Sequence, residues 1–238
     1  MSDRYNKLLN DGQLGIFLQS FPGIVGIFNF DTLQYQHYSE NVRHFFGYTA
    51  EDYMKGGLDF SFSKINTIHA EIITTSVFPV FLEHCAKYSN NGEIKDLRFS
   101  YEYIVNCKSG KTIWCMHHST ILEVDEHGHP LLELFIITDI NETKKDDLIN
   151  FIISKKGKLG IFETINTFSY QTKDFSLLSS RERQILKLLC GGNSTPEIAK
   201  ILYLSEHTIK THRKNIMQKM KVKNKMDIVK IAFEKGLL

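Results

Sequence analysis

The sequence lacks the features that are typical of enzymes, membrane proteins and secreted proteins. It contains no glycine-rich phosphate loop, no HExxH pair and no GxSxG nucleophile motif. Its four cysteines form no CxxC pair, which argues against a zinc knuckle or a dithiol redox centre. No run approaches the ~20 apolar residues of a membrane span, and the first residues lack the apolar stretch of a signal peptide. We therefore expect a non-enzymatic cytoplasmic protein with free thiols.

Charged residues are distributed unevenly along the chain. The formal net charge of all 238 residues is only +2. Residues 177–238 hold thirteen Lys and Arg against five Asp and Glu, which gives +8, whereas residues 1–176 hold sixteen against twenty-two, which gives −6. A basic block behind an acidic one predicts a nucleic-acid-binding domain at the C-terminal end and a separate domain before it.

The basic block carries the start signals of four short amphipathic helices. Ser179 precedes Glu182 by three residues, and Ser194 precedes Glu197 by three, which is the spacing of a capping box. Ser205 is the start signal of a third helix, and a fourth follows near the C-terminus. Only a short turn separates the second helix from the third. This spacing predicts a helix-turn-helix arrangement.

The third predicted helix, over residues 206–220, has two chemically different faces. At 100° per residue, Ile209, Ile216 and Met220 share an apolar stripe that must point inward. The side chains on the opposite face are polar or cationic: His207, Lys210, Thr211, Lys214 and Gln218. Such a face suits the major groove of DNA. A solvated lysine face on an ordinary helical bundle is the alternative, and the coincidence of caps, turn and charge favours DNA.

The residues of this block also carry a family resemblance. The stretch LSSRERQILKLLCGGNSTPEIAKIL, with SEHTIKTHRKNIMQKMKVKN after it, resembles the DNA-binding domain of LuxR-type (NarL/GerE-like) regulators. In that family the third helix enters the major groove and the fourth often forms the dimer contact. The resemblance implies base-edge contacts from Lys210, Thr211 and Lys214, and we add His207 from the same face. It implies phosphate contacts from Ser205, Thr208, His212, Asn215 and Lys219. Thr211 stands where an aliphatic residue is common.

The fourth predicted helix is rich in apolar side chains. It contains Ile228, Val229, Ile231 and Ala232, more apolar surface than a small domain buries alone. One domain of this kind contacts only a few base pairs, so two copies on adjacent half-sites are expected. We predict a homodimer on double-stranded DNA, with these four residues in the dimer patch.

The front of the chain predicts an antiparallel sheet with helices on one face. Two short strands precede a helical region, and three long strands with a period of two follow from Leu97. The pieces PGIVGIFNFD, ENVRHFFGYTAEDY, KSGKTIWC and FIITDINETK resemble a PAS domain. The predicted fold class is thus an α+β PAS-like domain followed by an all-α four-helix LuxR-type helix-turn-helix domain.

The same patterns divide the chain into four segments. We predict an N-terminal helix over residues 1–20, the PAS-like domain over 21–145 and the helix-turn-helix domain over 177–238. Residues 146–176 form a linker, for which we favour a β-hairpin over an extended helix because two apolar runs flank Lys155 to Lys158.

Several roles are open for the PAS-like domain. Relatives of the PAS family hold haem, flavin or a small metabolite, and others contact only another protein chain. The Asn-Cys-Arg-Phe-like motif of flavin photosensors is absent, since Cys85 lies in EHCAKY. His69 and His84 lie in the helical region where a haem ligand would sit. We predict no resident cofactor and no metal, and we expect the domain to sense a signal or mediate dimerisation. A haem- or flavin-dependent sensor and a protein-interaction adaptor are the alternatives.

Overall fold

The computed structural model of this chain describes residues 20–89, 92–172, 178–222 and 224–234. Within these ranges an antiparallel sheet with helices over one face is followed by a cluster of four helices. The predicted fold class is confirmed. The helix predicted over residues 1–20 lies outside the described residues except for Ser20. None of the helices in the described part of the chain is both long and apolar enough to span a membrane.

The elements of the described residues follow in chain order. The strands are β1 Ile24–Asn29, β2 Gln34–Tyr38, β3 Leu97–Asn106, β4 Thr112–Val124, β5 Pro130–Asp139, β6 Leu148–Lys156 and β7 Phe162–Gln171. The helices of the front domain are α1 Val42–Phe46, α2 Ala50–Lys64, α3 Thr67–Ile72 and α4 Phe78–Ser89. A π-helical turn, Ile73–Val77, joins α3 to α4, and a 3-10 turn, Glu93–Asp96, precedes β3. The C-terminal helices are α5 Ser180–Cys190, α6 Thr195–Ile201, α7 Glu206–Met220 and α8 Lys225–Glu234.

The strands pair in the order β2-β1-β5-β4-β3-β6-β7. The first five, with helices between β2 and β3, have the strand order of the PAS fold. The hairpin of β6 and β7 occupies the segment that we predicted as a linker, and β6 pairs with β3. Ile149, Phe151 and Ile153 alternate along β6 and are fully buried, because they belong to the core under α4. The hairpin therefore extends the sheet of the front domain.

The helical region over the sheet contains one irregular turn. The sequence predicts an interruption near Pro79, and the structure places it just before that residue, at Ile73–Val77. Proline has no backbone N–H for the helical ladder, and π turns accommodate such a local disruption. Ile73 and Val77 lie at the two ends of the turn and are almost fully buried against the sheet. The irregular turn is thus part of the inner wall of the domain.

A salt bridge joins the two domains. Arg183 on α5 pairs with the carboxylate of Glu71 on α3, and its guanidinium also donates to the carbonyl of Leu178. Both charged side chains are mostly buried. The first C-terminal helix is therefore held against the front domain at Glu71, two residues before the π-helical turn.

A buried charge pair fixes the start of the hairpin. The carboxylate of Glu102 on β3 accepts hydrogen bonds from Lys144 Nζ at 2.7 Å, from Asn150 Nδ2 at 2.7 Å and from the Asn150 backbone N–H at 3.0 Å. Lys144 Nζ also donates to the Leu148 carbonyl at 2.7 Å. The side chains of Lys144 and Glu102 are only 5% and 9% exposed. The carboxylate thus ties the segment after β5 to the first residues of β6.

Replacing Lys144 by Met should destabilise the front domain. The substitution leaves the Glu102 carboxylate buried without its cation, which costs about 3–5 kcal/mol of unfolding free energy. Chemical denaturation of the full chain measures this loss. The matched control is Lys145→Met, because Lys145 is exposed and surface changes are usually within about 0.5 kcal/mol. Equal denaturation midpoints for the two variants would contradict the assignment.

Candidate nucleic-acid interface and sensor cavity

Helix α7 is fixed in one rotational setting by what it buries. Ile209 and Ile216 are fully buried in the C-terminal core and Met220 is partly buried, as the apolar stripe predicts. Arg213 Nη1 donates to Thr195 Oγ1 at 2.5 Å, which joins α7 to the start of α6. The turn between the two helices contains Tyr203 with φ 54°, a left-handed conformation that reverses the chain in a few residues.

The predicted base-reading side chains share the solvent face of α7. His207, Lys210, Thr211 and Lys214 are all exposed. Lys210 Nζ lies 3.9 Å from the Glu206 carboxylate, and both side chains are more than half exposed. Exposed pairs of this kind contribute little and are screened by salt. The positive charge of this face is therefore available to an anionic partner.

Thr211 presents an unusual surface for a hydroxyl residue. Its Oγ1 donates to the backbone carbonyl of His207 at 3.1 Å, one helical turn earlier. Threonine often satisfies its hydroxyl in this way within a helix. Thr211 is exposed, and with its hydroxyl hydrogen-bonded to the backbone the γ-methyl group is the apolar part of the side chain that remains for contacts. Thr211 therefore resembles the aliphatic residue that is common at this position in LuxR-type domains.

The predicted phosphate-contacting residues fall into two groups. Ser205 Oγ accepts the Thr208 backbone N–H at 3.1 Å and lies 2.8 Å from Thr208 Oγ1, so these hydroxyls cap α7. His212 and Asn215 are half-buried beside the reading face. Ser205 and Thr208 lie at the N-terminus of α7, where backbone N–H groups also favour anions, whereas His212 and Asn215 lie further along the helix.

Lys219 makes an ion pair within the domain. Its Nζ lies 2.6 Å from Oε2 of Glu182, whose side chain is only 4% exposed. Burial alone would raise the pKa of Glu182, but hydrogen bonds from Lys219 and from Ser179 outweigh it and lower the pKa overall. The same carboxylate accepts the Ser179 backbone N–H at 2.7 Å, completing the capping box of α5. In this structure Lys219 ties α7 to α5 while 42% of its side chain stays exposed, and its phosphate contact remains a prediction.

The predicted dimer patch needs correction. Ile228 and Ala232 are fully buried in the domain core, because α8 must itself cover α5. Val229 and Ile231 are half-buried. Only these two of the four predicted residues offer apolar surface to a partner.

A shallow groove beside the reading face includes a residue that the sequence did not single out. Its lining is cationic and polar at one end and apolar at the other: Lys210, Arg213, Lys214, Met217, Gln218 and Val222. Arg213 both lines this groove and holds α6. Its spacing of three residues from Lys210 places it on the neighbouring side of the helix, which is a signal that could have identified it.

The front domain contains a cavity of about 250 Å³ between sheet and helices. Its walls come from the inner face of the sheet, from α1, α2 and α4, and from the π-helical turn. Neither His69 nor His84 lines it. The ring of His69 accepts the Ile104 N–H at Nδ1, 3.0 Å away, and burial lowers its pKa to about 4. His84 is hydrogen-bonded to the Val80 carbonyl and to Asn166. These two histidines are structural.

The comparison with protein families bears on the C-terminal part of the chain. The family described as bacterial regulatory proteins, luxR family (GerE), matches residues 176–232. Residues 176–232 are a LuxR-type helix-turn-helix domain. The matched range spans all four C-terminal helices down to Ala232, and the exposed face of α7 lies at its centre.

Curated relatives match part of the chain. The oxygen regulatory protein NreC of Staphylococcus aureus is 36% identical over 91 residues, which is 38% of this chain and 38% of NreC. The chain thus matches little more than a third of the length of the relative.

Solved structures resemble both parts of the chain. The VqmA dimer of Vibrio cholerae has 17% sequence identity over 96% of this chain and 89% of its own, with a TM-score of 0.38. The transcription factor GerE has 35% identity over 26% of this chain and 92% of its own, with a TM-score of 0.25. The PAS domain of an HTR-like protein from Haloarcula marismortui has 15% identity over 58% of this chain and 99% of its own, with a TM-score of 0.38.

Lys219→Met should lower stability because it leaves the Glu182 carboxylate buried without its cation. Hydrogen bonds to charged groups contribute about 1.5–3 kcal/mol, and we expect a loss of that size in chemical denaturation. Lys221→Met is the matched control, because Lys221 is an exposed lysine just after α7. If the denaturation midpoint of the Lys219→Met variant equals that of the native chain, the ion pair with Glu182 does not contribute to stability.

Proposed function

We propose that this protein is a sequence-specific DNA-binding transcription regulator of the bacterial cytoplasm that acts as a homodimer and is controlled by its PAS-like domain. The observation that carries the proposal is the exposed cationic face of α7 within a LuxR-type domain. No catalytic role is proposed. Curated relatives with this domain include a protein named as an oxygen regulatory protein.

Recognition divides between positioning and reading. Lysines and the capped start of α7 neutralise phosphates and orient the domain on the duplex, which carries no sequence information by itself. His207, Lys210, Thr211 and Lys214 then lie against base edges in the major groove. Lysine donates to the guanine O6 and N7 acceptors, and a methyl group packs on the thymine methyl.

Dimerisation follows from the small footprint of one domain. A single recognition helix reads only a few base pairs, so a two-fold pair on adjacent half-sites is needed for specificity. Val229 and Ile231 are the α8 side chains that remain partly exposed for such a contact. A solved VqmA structure is described as a dimer in the absence of target DNA.

The PAS-like domain is proposed to sense a small molecule. A protein-interaction adaptor needs no space between sheet and helices, whereas this domain has a cavity of about 250 Å³ there. The lining is mostly apolar with a few polar groups, which is the usual composition of a ligand site. Two solved relatives of the VqmA type are described as bound to DPO or to a ligand.

Thr211 should read thymine through its methyl group. Replacing thymine by uracil at single positions of a selected duplex removes one methyl group at a time. At the position that Thr211 contacts, the change should weaken binding about fourfold, which corresponds to the ~0.8 kcal/mol of one buried methylene group. Thr211→Val should keep both the affinity and this uracil pattern, and Thr211→Ser should lose the pattern. Equilibrium titration by fluorescence anisotropy measures both. A Thr211→Val variant that binds ten times more weakly would show that the hydroxyl reads the base.

Lys210→Ala should weaken binding of the selected duplex while leaving the fold intact. Loss of one good base contact costs about 1–3 kcal/mol, so affinity for the selected duplex should fall between about 5-fold and 150-fold. Affinity for a scrambled duplex should change much less. The control is Lys187→Ala, which removes an exposed lysine from α5. If the two variants bind the selected duplex equally well, the proposed reading face is wrong, and with it the regulator function.

A further inference from the structure

One acidic side chain stands on the inner wall of the cavity. Glu133 lies on β5, where its backbone pairs with Phe28 on β1 and with Ile121 on β4. Both neighbours are almost fully buried apolar residues. Glu133 is half-buried and lines the cavity. A carboxyl group is therefore placed in the middle of an apolar surface, a position that apolar packing alone would assign to a Leu or Val.

Within residues 20–89, 92–172, 178–222 and 224–234, no cation compensates this carboxyl. Among the described residues Glu133 makes no ion pair. Of the described residues in the cavity lining, only Lys64 is a lysine or arginine, and its ammonium lies over the rings of Tyr48 and Phe60, at 4.9 and 4.4 Å from their centres. His117 also lines the cavity, but burial lowers its pKa to about 3, so its ring is neutral.

The electrostatic setting agrees with an unpaired carboxyl. Burial raises the pKa of Glu133 to about 7, and the neighbouring Ser119 hydroxyl opposes this rise. The charge of Glu133 also acts on Tyr35, Cys85 and Tyr101, and all three are uncharged at neutral pH because burial raises their pKa values. Ionised Glu133 thus has the Ser119 hydroxyl beside it but no cationic partner among the described residues unless a ligand supplies one.

The rest of the lining is unusually aromatic. Fourteen of the residues around the cavity are Phe or Tyr. Aromatic rings attract cations through their negative faces, and the attraction is strongest where water is excluded. Nε2 of His117 is buried and lacks a hydrogen-bond partner, although the ring itself lies between Tyr101 and Phe135, with centroids 4.6 and 5.3 Å away. The wall therefore combines one carboxyl, one unused imidazole nitrogen and many ring surfaces.

We propose that the cavity takes a small organic cation, an amine or amidine on an apolar body, whose charged group meets Glu133 while its body lies among the aromatic side chains. The proposal rests on the sensing role proposed above and names the class of molecule sensed. The cavity volume of about 250 Å³ lies just below the roughly 300–1,000 Å³ of drug-sized ligand pockets. The ligand is accordingly small, on the scale of one substituted ring.

Paired probes that differ in charge and hardly in shape test this class. The cations are phenethylamine, benzylamine and benzamidine, and their neutral counterparts are 2-phenylethanol, benzyl alcohol and benzamide. Each is titrated into the full chain by calorimetry. We expect at least one cation to bind ten or more times tighter than its neutral counterpart.

Variants assign the preference to the carboxyl. Glu133→Gln keeps the shape of the side chain and removes its charge, so it should erase the tenfold difference. Glu126→Gln, at an exposed position of the same domain, should retain it. The Glu133→Gln variant should have a melting temperature equal to or above that of the native chain, because it no longer buries an unpaired carboxyl. Such a melting temperature excludes misfolding as the cause of the lost cation preference.

Three results would overturn the proposal. They are equal or tighter binding of the neutral compounds by the native chain, no binding of any compound in the set, and a cation preference that survives in Glu133→Gln. Binding of the selected duplex, measured in parallel without probes, reports separately on the regulator function. Specific DNA binding together with no preference for the cationic probes would contradict the proposed ligand class and leave the regulator function intact.

Discussion

The burial of Ile209 and Ile216 decides what the C-terminal domain can present to its surroundings. The two side chains are seven residues apart and lie on one side of α7, so the core fixes the rotation of that helix. The opposite side must then face solvent, and there the chain places Lys210 and Lys214. Without the buried stripe, the orientation of Lys210 and Lys214 relative to the rest of the domain would not be fixed. The buried stripe thus determines which side chains of α7 are exposed to solvent.

Polar ties complete the fixing of α7. Arg213 holds its middle to α6, and Lys219 holds its end to the buried Glu182 on α5. Glu182 also caps its own helix through Ser179, so one carboxylate serves both a local and a long-range contact. The arrangement is rigid because each tie joins a different pair of helices. Rigidity matters for base reading, since groups that are already in place lose less entropy on binding.

The parts of the structure that depend on local signals could be predicted from the sequence. The capping boxes of α5 and α6, the two faces of α7 and the α+β class of the front domain all follow from spacing and periodicity. Long-range pairing could not. A lysine such as Lys219 has the same charge whether it meets a phosphate or Glu182, 37 residues earlier. Ile228 and Ala232 look like contact residues until the core is seen to need them.

Long-range pairing is also what the sequence could not predict in the front domain. Alternation along β6 predicts a strand, but nothing in its sequence tells that β3 is its neighbour. Glu133 is one acidic residue among many in the sequence. Only the register of β5 with β1 and β4 places it on the inner face, among apolar side chains. Its unusual environment is therefore a property of the fold and not of the local sequence.

The π-helical turn connects the cavity with the DNA-binding domain over a short distance. Ile73 and Val77 form part of the cavity wall, and Glu71, which pairs with Arg183 on α5, comes just two residues before the turn. A π turn contains one residue more than an α turn, and each residue of a helix is a rotation of about 100°. If this turn tightened to α geometry, Glu71 would swing around the helix axis by that angle and its carboxylate would leave the guanidinium. The cavity wall and the residue that ties the front domain to α5 are therefore close neighbours along one helical stretch.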